Sequence, residues 1–294
     1  MSRIQNILDK AERDGTAVRT ARVSGPVAAT VPITIELPDQ TPEAPAIIAP
    51  GASVPGAMAS ADAMDDGVTT VTARLSPLLV AGRAPNSLAA EQYRALRTRL
   101  AHTEGATSLR SMLVTSPQKG EGKSVTSANL ALTMAQELQR RVVIVEADLR
   151  KPGLQALFGL PPGPGLSEFL SGACDLASAT RFLPDQNLTV IPAGATPSNP
   201  AELLGSTAMR RLLDQLRTRF DRVILDTPPV LPLADVAVLA PIVDGVLLVV
   251  RAGVTPKPAI ENALRAFDAS RVLGIVLNES GLESDYRYDE EIRH

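Results

Sequence analysis

The sequence predicts an α/β fold in which a mainly parallel β-sheet is sandwiched by helices. Short β-branched runs are apolar throughout rather than alternating, as strands covered on both faces are. Helical stretches lie between them, and strand, helix, strand repeated several times implies parallel strands joined by right-handed crossovers. A glycine-bearing loop ahead of Lys123 and Ser124, where the first strand gives way to a helix, makes this a P-loop nucleotide-binding (NTPase) fold. A disordered N-terminal region precedes it.

Taken in order, Ile4, Ile7, Leu8 and Ala11 follow helical spacing, so a short amphipathic helix is expected within residues 1–16. A frayed terminus accounts for the same spacing equally well. Residues 17–82 are rich in Ala, Pro, Thr and Val and contain no aromatic residue. Such a segment buries too little apolar surface to offset its ordering entropy and reads as a mostly disordered linker. Within it, Val31–Leu37 could form a lone strand. The folded domain is expected over residues 83–282. Its strands are predicted at Met112–Thr115, Val142–Glu146, Leu188–Pro192, Val223–Asp226, Val246–Val250 and Val272–Leu277. Helices are predicted over Ser124–Gln139, Pro200–Phe220 and Pro256–Ala269. Residues 283–294 form an acidic, tyrosine-bearing tail.

Bulk properties exclude several functions. A net charge of −3 does not suit a surface that wraps nucleic acid. One cysteine, Cys174, permits no internal disulfide and suits a reducing compartment. The two histidines, His102 and His294, have no metal-ligand spacing. No charge-free apolar run approaches the roughly 18 residues that a membrane-spanning helix needs, so a cytoplasmic protein is expected.

The chemistry begins at Ser111–Ala131, SMLVTSPQKGEGKSVTSANLA. Gly120 and Gly122 let the backbone bend so that the N–H groups from Gly120 through Glu121, Gly122, Lys123, Ser124 and Val125 surround a phosphate. Lys123 supplies a cation for the β- and γ-phosphates and Ser124 a hydroxyl for Mg²⁺, while the following helix presents its positive end to the same anion. The usual pattern places Gly six residues before the Lys; here that position is Pro117. Asp226 ends a buried strand and can hold a metal-bound water opposite Ser124. Glu146 and Asp148 follow another strand and, in an extended chain, point the same way. Together they could position the metal and accept a proton from an attacking hydroxyl; alternatively one or both cap the next helix.

The segments SPQKGEGKS, VVIVEADLRKP and VILDTPPV, with GLSEFLSG, VIPAGATPSNPAELL and VVRAGVT between and after them, resemble the bacterial tyrosine kinases of capsule and exopolysaccharide synthesis. That family lies within the MinD/ParA-like P-loop ATPases, and the resemblance covers about Leu88–Leu282. It implies an ATP- and Mg²⁺-dependent protein-tyrosine autokinase. Lys123, Glu146, Asp148 and Asp226 are the implied catalytic residues, and Ser124, Asp148 and Asp226 the implied metal site. Arg150 and Asn278 join the nucleotide contacts, Asn278 at the position expected to meet adenine. Glu146 stands where the family usually has Asp, one methylene shorter, as the base toward the tyrosine hydroxyl. Asp235 matches a family acid to which no role is given.

The run Glu91-Gln92-Tyr93-Arg94-Ala95-Leu96-Arg97 places Glu91, Arg94 and Arg97 on one helix side. Spacing alone fits a solvated face; the resemblance implies an oligomer contact within a ring. Of three tyrosines, Tyr286 and Tyr288 lie among Glu283, Asp285, Asp289, Glu290 and Glu291 and are the implied phosphoacceptors. An inert acidic tail fits the composition too. The resemblance further implies a membrane-bound polysaccharide co-polymerase as activator, with peripheral association at the inner face of the cell membrane. Two rivals are a MinD/ParA-like ATPase without kinase activity and a nucleotide-sensing scaffold of an export complex. The first usually carries an extra Lys five residues before the loop Lys; here that place is Gln118, with Lys119 one position off.

Overall fold

The computed structural model describes residues 34–36, 67–102, 109–230 and 234–279. The helix expected near the N-terminus and the tail from Glu283 onward lie outside these residues.

The strands are β1 (Thr34–Glu36), β2 (Thr69–Thr70), β3 (Ser111–Thr115), β4 (Val142–Glu146), β5 (Arg181–Leu183), β6 (Leu188–Ile191), β7 (Arg222–Asp226), β8 (Gly245–Arg251) and β9 (Val272–Asn278). They form one sheet in the order β1-β9-β8-β3-β7-β4-β6-β5-β2. Six strands, β9 through β6 in that order, run parallel. The antiparallel pairs are β1 with β9 and β5 with β6. The Val31–Leu37 strand is therefore an edge strand rather than a lone one, over Thr34–Glu36.

Alternation along each strand divides the core into two layers. Val142 and Ile144 face one side with Met112, Val114, Ile224 and Val249. Val143 and Val145 face the other with Leu113, Val223, Leu225 and Leu248. The first side is covered by α1 (Val80–Arg83), α2 (Leu88–His102), α3 (Lys123–Ala135) and α4 (Leu154–Phe158). On the second side lie α5 (Leu166–Leu170), α7 (Pro200–Leu204), α8 (Thr207–Arg219), α9 (Asp235–Leu239) and α10 (Lys257–Arg265); α6 (Leu176–Ala179) precedes β5. Burial on both faces is why the strands read as unbroken apolar runs.

Two expectations need correction. The helix over Pro200–Phe220 is two helices, because Gly205 ends α7 and Ser206 caps α8 by accepting from the Met209 N–H at 3.2 Å. The linker expected through residue 82 also stops earlier. Residues 67–83 form an arm packed on the domain, with Leu79 and Ala81 buried. Val71 N donates to Phe182 O, Arg74 N to Phe158 O and Ser76 N to Leu157 O.

The arm is stapled to α3 by side chains its own composition does not announce. Fully buried Asn129 donates to Leu78 O and Val125 O, each at 2.9 Å, and accepts from Ala81 N at 3.0 Å. Gln136 donates to Ala81 O at 2.8 Å. Asn129→Ala strands the buried Ala81 N–H and the Leu78 carbonyl, an expected cost of about 2–3 kcal/mol. For a domain of this size that lowers the melting temperature by roughly 4–12 °C. A thermal melt within about 1 °C of wild type would show that the arm is held by something else.

Candidate active site

Strand order assembles the site. Because β7 is inserted between β3 and β4, the segments following all three strands emerge side by side. Asp226 is in register with Val114 on one flank and with Glu146 on the other. The loop after β3 passes through Gly120 at φ 84° and Gly122 at φ 86°, both in the region that disfavours a side chain. A Cβ on Gly122 would also collide with the Asn278 amide. α3 starts at Lys123, so the N–H groups of Lys123, Ser124 and Val125 have no carbonyl four residues back within the helix.

The loop is braced from outside. Buried Glu121 accepts from Gln118 N at 2.8 Å and from the Thr255 hydroxyl, tying it to the turn after β8. Asn278, at the end of β9, donates to Glu121 O at 3.0 Å. The residue expected at adenine thus buttresses the phosphate loop through its amide NH₂.

Lys123 Nζ lies 2.9 Å from Asp148 Oδ2 and 3.3 Å from Ser124 Oγ. Burial pulls its pKa down, but the charges of Asp226 and Asp148 outweigh that and hold it above the ordinary lysine value. Asp226 is completely buried; Oδ1 accepts from Ser127 Oγ at 3.0 Å, and Oδ2 has no hydrogen-bond partner. Burial pushes its pKa up, with Lys123 opposing. An unsatisfied carboxylate oxygen at this depth is costly, and its presence beside a phosphate cradle fits a cation. Among the described residues no three His, Cys, Asp or Glu side chains converge to hold a metal alone. Mg²⁺ does not require that, since it binds through one or two protein oxygens together with substrate phosphates and water. Ser124 and Asp226 meet the requirement.

The two acids after β4 part company once the strand ends. Asp148 goes to the cradle, bonding Lys123 and accepting from Lys151 N at 3.0 Å. Glu146 is fully buried and caps α4. Its Oε1 accepts from Gly153 N and from Leu154 N at 2.7 Å, and Oε2 accepts from Ala193 N at 3.3 Å. Burial lifts its pKa from 4.5 to about 7, with nearby Asp226 adding to the rise and the three N–H groups opposing it. Glu146 and Asp148 both act on Lys123 through their charges, but only Asp148 bonds it; the Glu146 oxygens are taken up by the α4 cap, the alternative its position also allowed.

Arg150 is held by a two-pronged contact with buried Asp235, Nε to Oδ2 at 2.6 Å and a terminal nitrogen to Oδ1 at 3.1 Å. That ties the segment after β4 to the one after β7. Sequence reasoning left Asp235 without a role, named Glu121 only for its backbone N–H and not for its bracing carboxylate, and missed Ser127 and Thr255 altogether. Ser127 was within reach, being one turn beyond Lys123 on the same helix; Thr255 lies 134 residues from Glu121 and carried no signal.

On α2, Arg97 pairs with Glu137 at 3.0 Å and donates to Thr133 O at 2.8 Å, so it joins α2 to α3 inside the subunit. Glu91 and Arg94 pair with each other at 2.6 Å, with the Glu91 side chain 61 % exposed. Tyr93 is buried against α3 beside Thr126 and Asn129, and burial pushes its hydroxyl pKa well up.

No family model matches the chain. It is 36% identical over 219 residues to the tyrosine-protein kinase YwqD of Bacillus subtilis (strain 168), covering 73% of this chain and 92% of that protein. Among solved structures, the chimerical protein CapA2B2 superposes with a TM-score of 0.65 at 28% identity, covering 71% of this chain and 91% of that one. The kinase domain of the Escherichia coli tyrosine kinase ETK superposes with a TM-score of 0.62 at 32% identity, covering 67% and 78% respectively.

Proposed function

Since the chain belongs to the bacterial tyrosine-protein kinases of capsule and exopolysaccharide biosynthesis, we propose that it transfers the γ-phosphoryl group of ATP to Tyr286 and Tyr288. The observation that carries this is the convergence of Lys123, Ser124 and the unpartnered oxygen of Asp226 on one cradle.

Within the proposal, the N–H groups of residues 120–125 and Lys123 hold the phosphates. Ser124 and Asp226 hold Mg²⁺, which when bound offsets charge on the transferring oxygens. Arg150, fixed by Asp235, adds a cation near Asp148. Asp148, the carboxylate that reaches the cradle, receives the tyrosine proton in place of Glu146. Asn278 sets the height of the loop and lies where the adenine end of the nucleotide is expected. Burial of Tyr93 removes it as an acceptor, which leaves the two tyrosines of the acidic tail.

The proposal extends to setting. A membrane-bound polysaccharide co-polymerase is the expected activator, with the cytoplasmic kinase docked at the inner face of the membrane and residues 1–14 a candidate contact. Among the described residues no helix is long and apolar enough to cross a membrane. A homo-oligomer, possible as a ring, would use Glu91 and Arg94, with Arg97 setting the angle of α2 from within the subunit.

The test is mass spectrometry of the purified chain after incubation with Mg-ATP, with Lys123→Met as the blank. Phosphate on Tyr286 or Tyr288 of the wild type, absent from the blank, is the expected result. ATP binding without phosphotyrosine, even with the cytoplasmic end of the activator added, would overturn it.

A further inference from the structure

Asp148 is bonded by one lysine side chain and by the backbone of another, and a third lysine lies beside the second. Lys123 bonds Asp148 Oδ2, and the Lys151 backbone bonds Asp148 Oδ1. Lys119 and Lys151 are both exposed, and their ammonium groups lie in contact. Contact with Lys151, and then its charge, holds Lys119 below the ordinary lysine pKa. Neither is free to drift far at its root: Gln118 N next to Lys119 is pinned to Glu121, and Lys151 N is pinned to Asp148. The turn carrying Lys151 also lies on the cradle, since a Cβ on Gly153 would stand 3.9 Å from Ser124 Oγ. Two like charges carried by neighbouring backbone segments are mutually unfavourable until an anion arrives between them.

We propose that Lys119 and Lys151 form the acceptor subsite, which selects tyrosines flanked by carboxylates. The inference rests on the kinase reading and adds a recognition rule to it. The occupant is the segment 283–291 of this chain, Glu-Ser-Asp-Tyr-Arg-Tyr-Asp-Glu-Glu, in which carboxylates stand immediately before Tyr286 and immediately after Tyr288. Asn278, bonded to the phosphate loop, fixes the point from which this segment departs. Its eight residues to Tyr286 span at most about 28 Å, enough to reach its own rim or that of a neighbouring copy. A carboxylate between the two ammonium groups relieves their repulsion and leaves the adjacent hydroxyl facing Lys123 and Asp148.

The test separates binding from turnover. A fluorescent peptide of residues 283–291 is titrated onto the full chain carrying Tyr286→Phe and Tyr288→Phe. The same chain then phosphorylates a Lys123→Met chain as acceptor. Lys119→Gln with Lys151→Gln is expected to weaken peptide binding and raise the acceptor KM by about tenfold, an effect that shrinks at high salt. Neutralising Asp285, Asp289 and Glu290 in the acceptor produces the same loss, and the two changes together cost little more than either alone. ATP affinity stays within about twofold. Equal losses for acidic and neutralised acceptors, with weakened ATP binding, would instead assign the lysines to the nucleotide and overturn the proposal, as would unchanged peptide binding. If the peptide binds as expected but no phosphotyrosine forms, the subsite stands and the kinase reading falls.

Discussion

Asp226→Asn lowers phosphotyrosine formation by at least about 100-fold and, in the same protein without nucleotide, raises the melting temperature. The first effect follows from replacing a charged metal ligand with a neutral amide, since stabilising charge on a transferring phosphoryl group is worth several kcal/mol and about 3 kcal/mol corresponds to 100-fold. The second follows from the burial of Asp226, whose Oδ2 has no hydrogen-bond partner and whose pKa is raised by desolvation. A folded-state pKa above the unfolded value means that ionised Asp226 opposes folding at neutral pH, so its stability contribution is lost as pH rises. Asparagine keeps an acceptor for Ser127 and removes that charge, while Lys123 retains Asp148. Single-turnover transfer and thermal melts at pH 7.5 measure the two effects. A mutant less stable than wild type would mean that the Lys123 charge compensates Asp226 fully. A mutant with undiminished transfer would remove Asp226 from the metal site.

Opposed effects of this kind mark where folding and function diverge, and they bear on what the sequence could disclose. The strands that lead to Ser124 and that end in Glu146 and Asp226 were legible because burial on both faces leaves an unbroken apolar run. The phosphate loop was legible because its requirements are local: two glycines at positive φ, a lysine, a hydroxyl and a helix start. For Glu146, capping the next helix was one of two readings its position allowed, and its bonds to Gly153 and Leu154 match that one; its third partner, Ala193, lies 47 residues away on the neighbouring strand's exit and was not legible. The arm was missed for a similar reason. Composition measured what residues 67–83 could bury by themselves, whereas Asn129 and Gln136 of α3 supply the bonds that fix it. The break at Gly205-Ser206, by contrast, was available as a stop signal followed by a cap residue.

Glu146→Ala is expected to cost about 3–5 kcal/mol of stability, the largest loss of any single truncation near the site. It leaves the N–H groups of Gly153, Leu154 and Ala193 buried without an acceptor, and each such group costs roughly 1–3 kcal/mol, with partial relief if water enters. Glu146→Gln separates that cap from the charge. The carboxyl pKa rises from 4.5 to about 7 on folding, so its stability contribution is full below about pH 4.5 and is lost as pH climbs through 7. The span corresponds to on the order of 3 kcal/mol, or roughly 6–12 °C in melting temperature. Between pH 5 and 8 the wild type should therefore lose more stability than Glu146→Gln, and the difference between their melting curves isolates this one group from every other titration. Activity decides the role. A cap tolerates glutamine, which keeps one acceptor for Gly153 and Leu154, so phosphate transfer should stay within about tenfold of wild type. A base does not, because the amide cannot take a proton. Loss beyond about 100-fold with the fold intact would return Glu146 to the chemistry and displace Asp148 from it. Retention would mean that the extra methylene relative to aspartate serves reach, carrying the carboxylate across to α4 and Ala193 rather than toward the tyrosine.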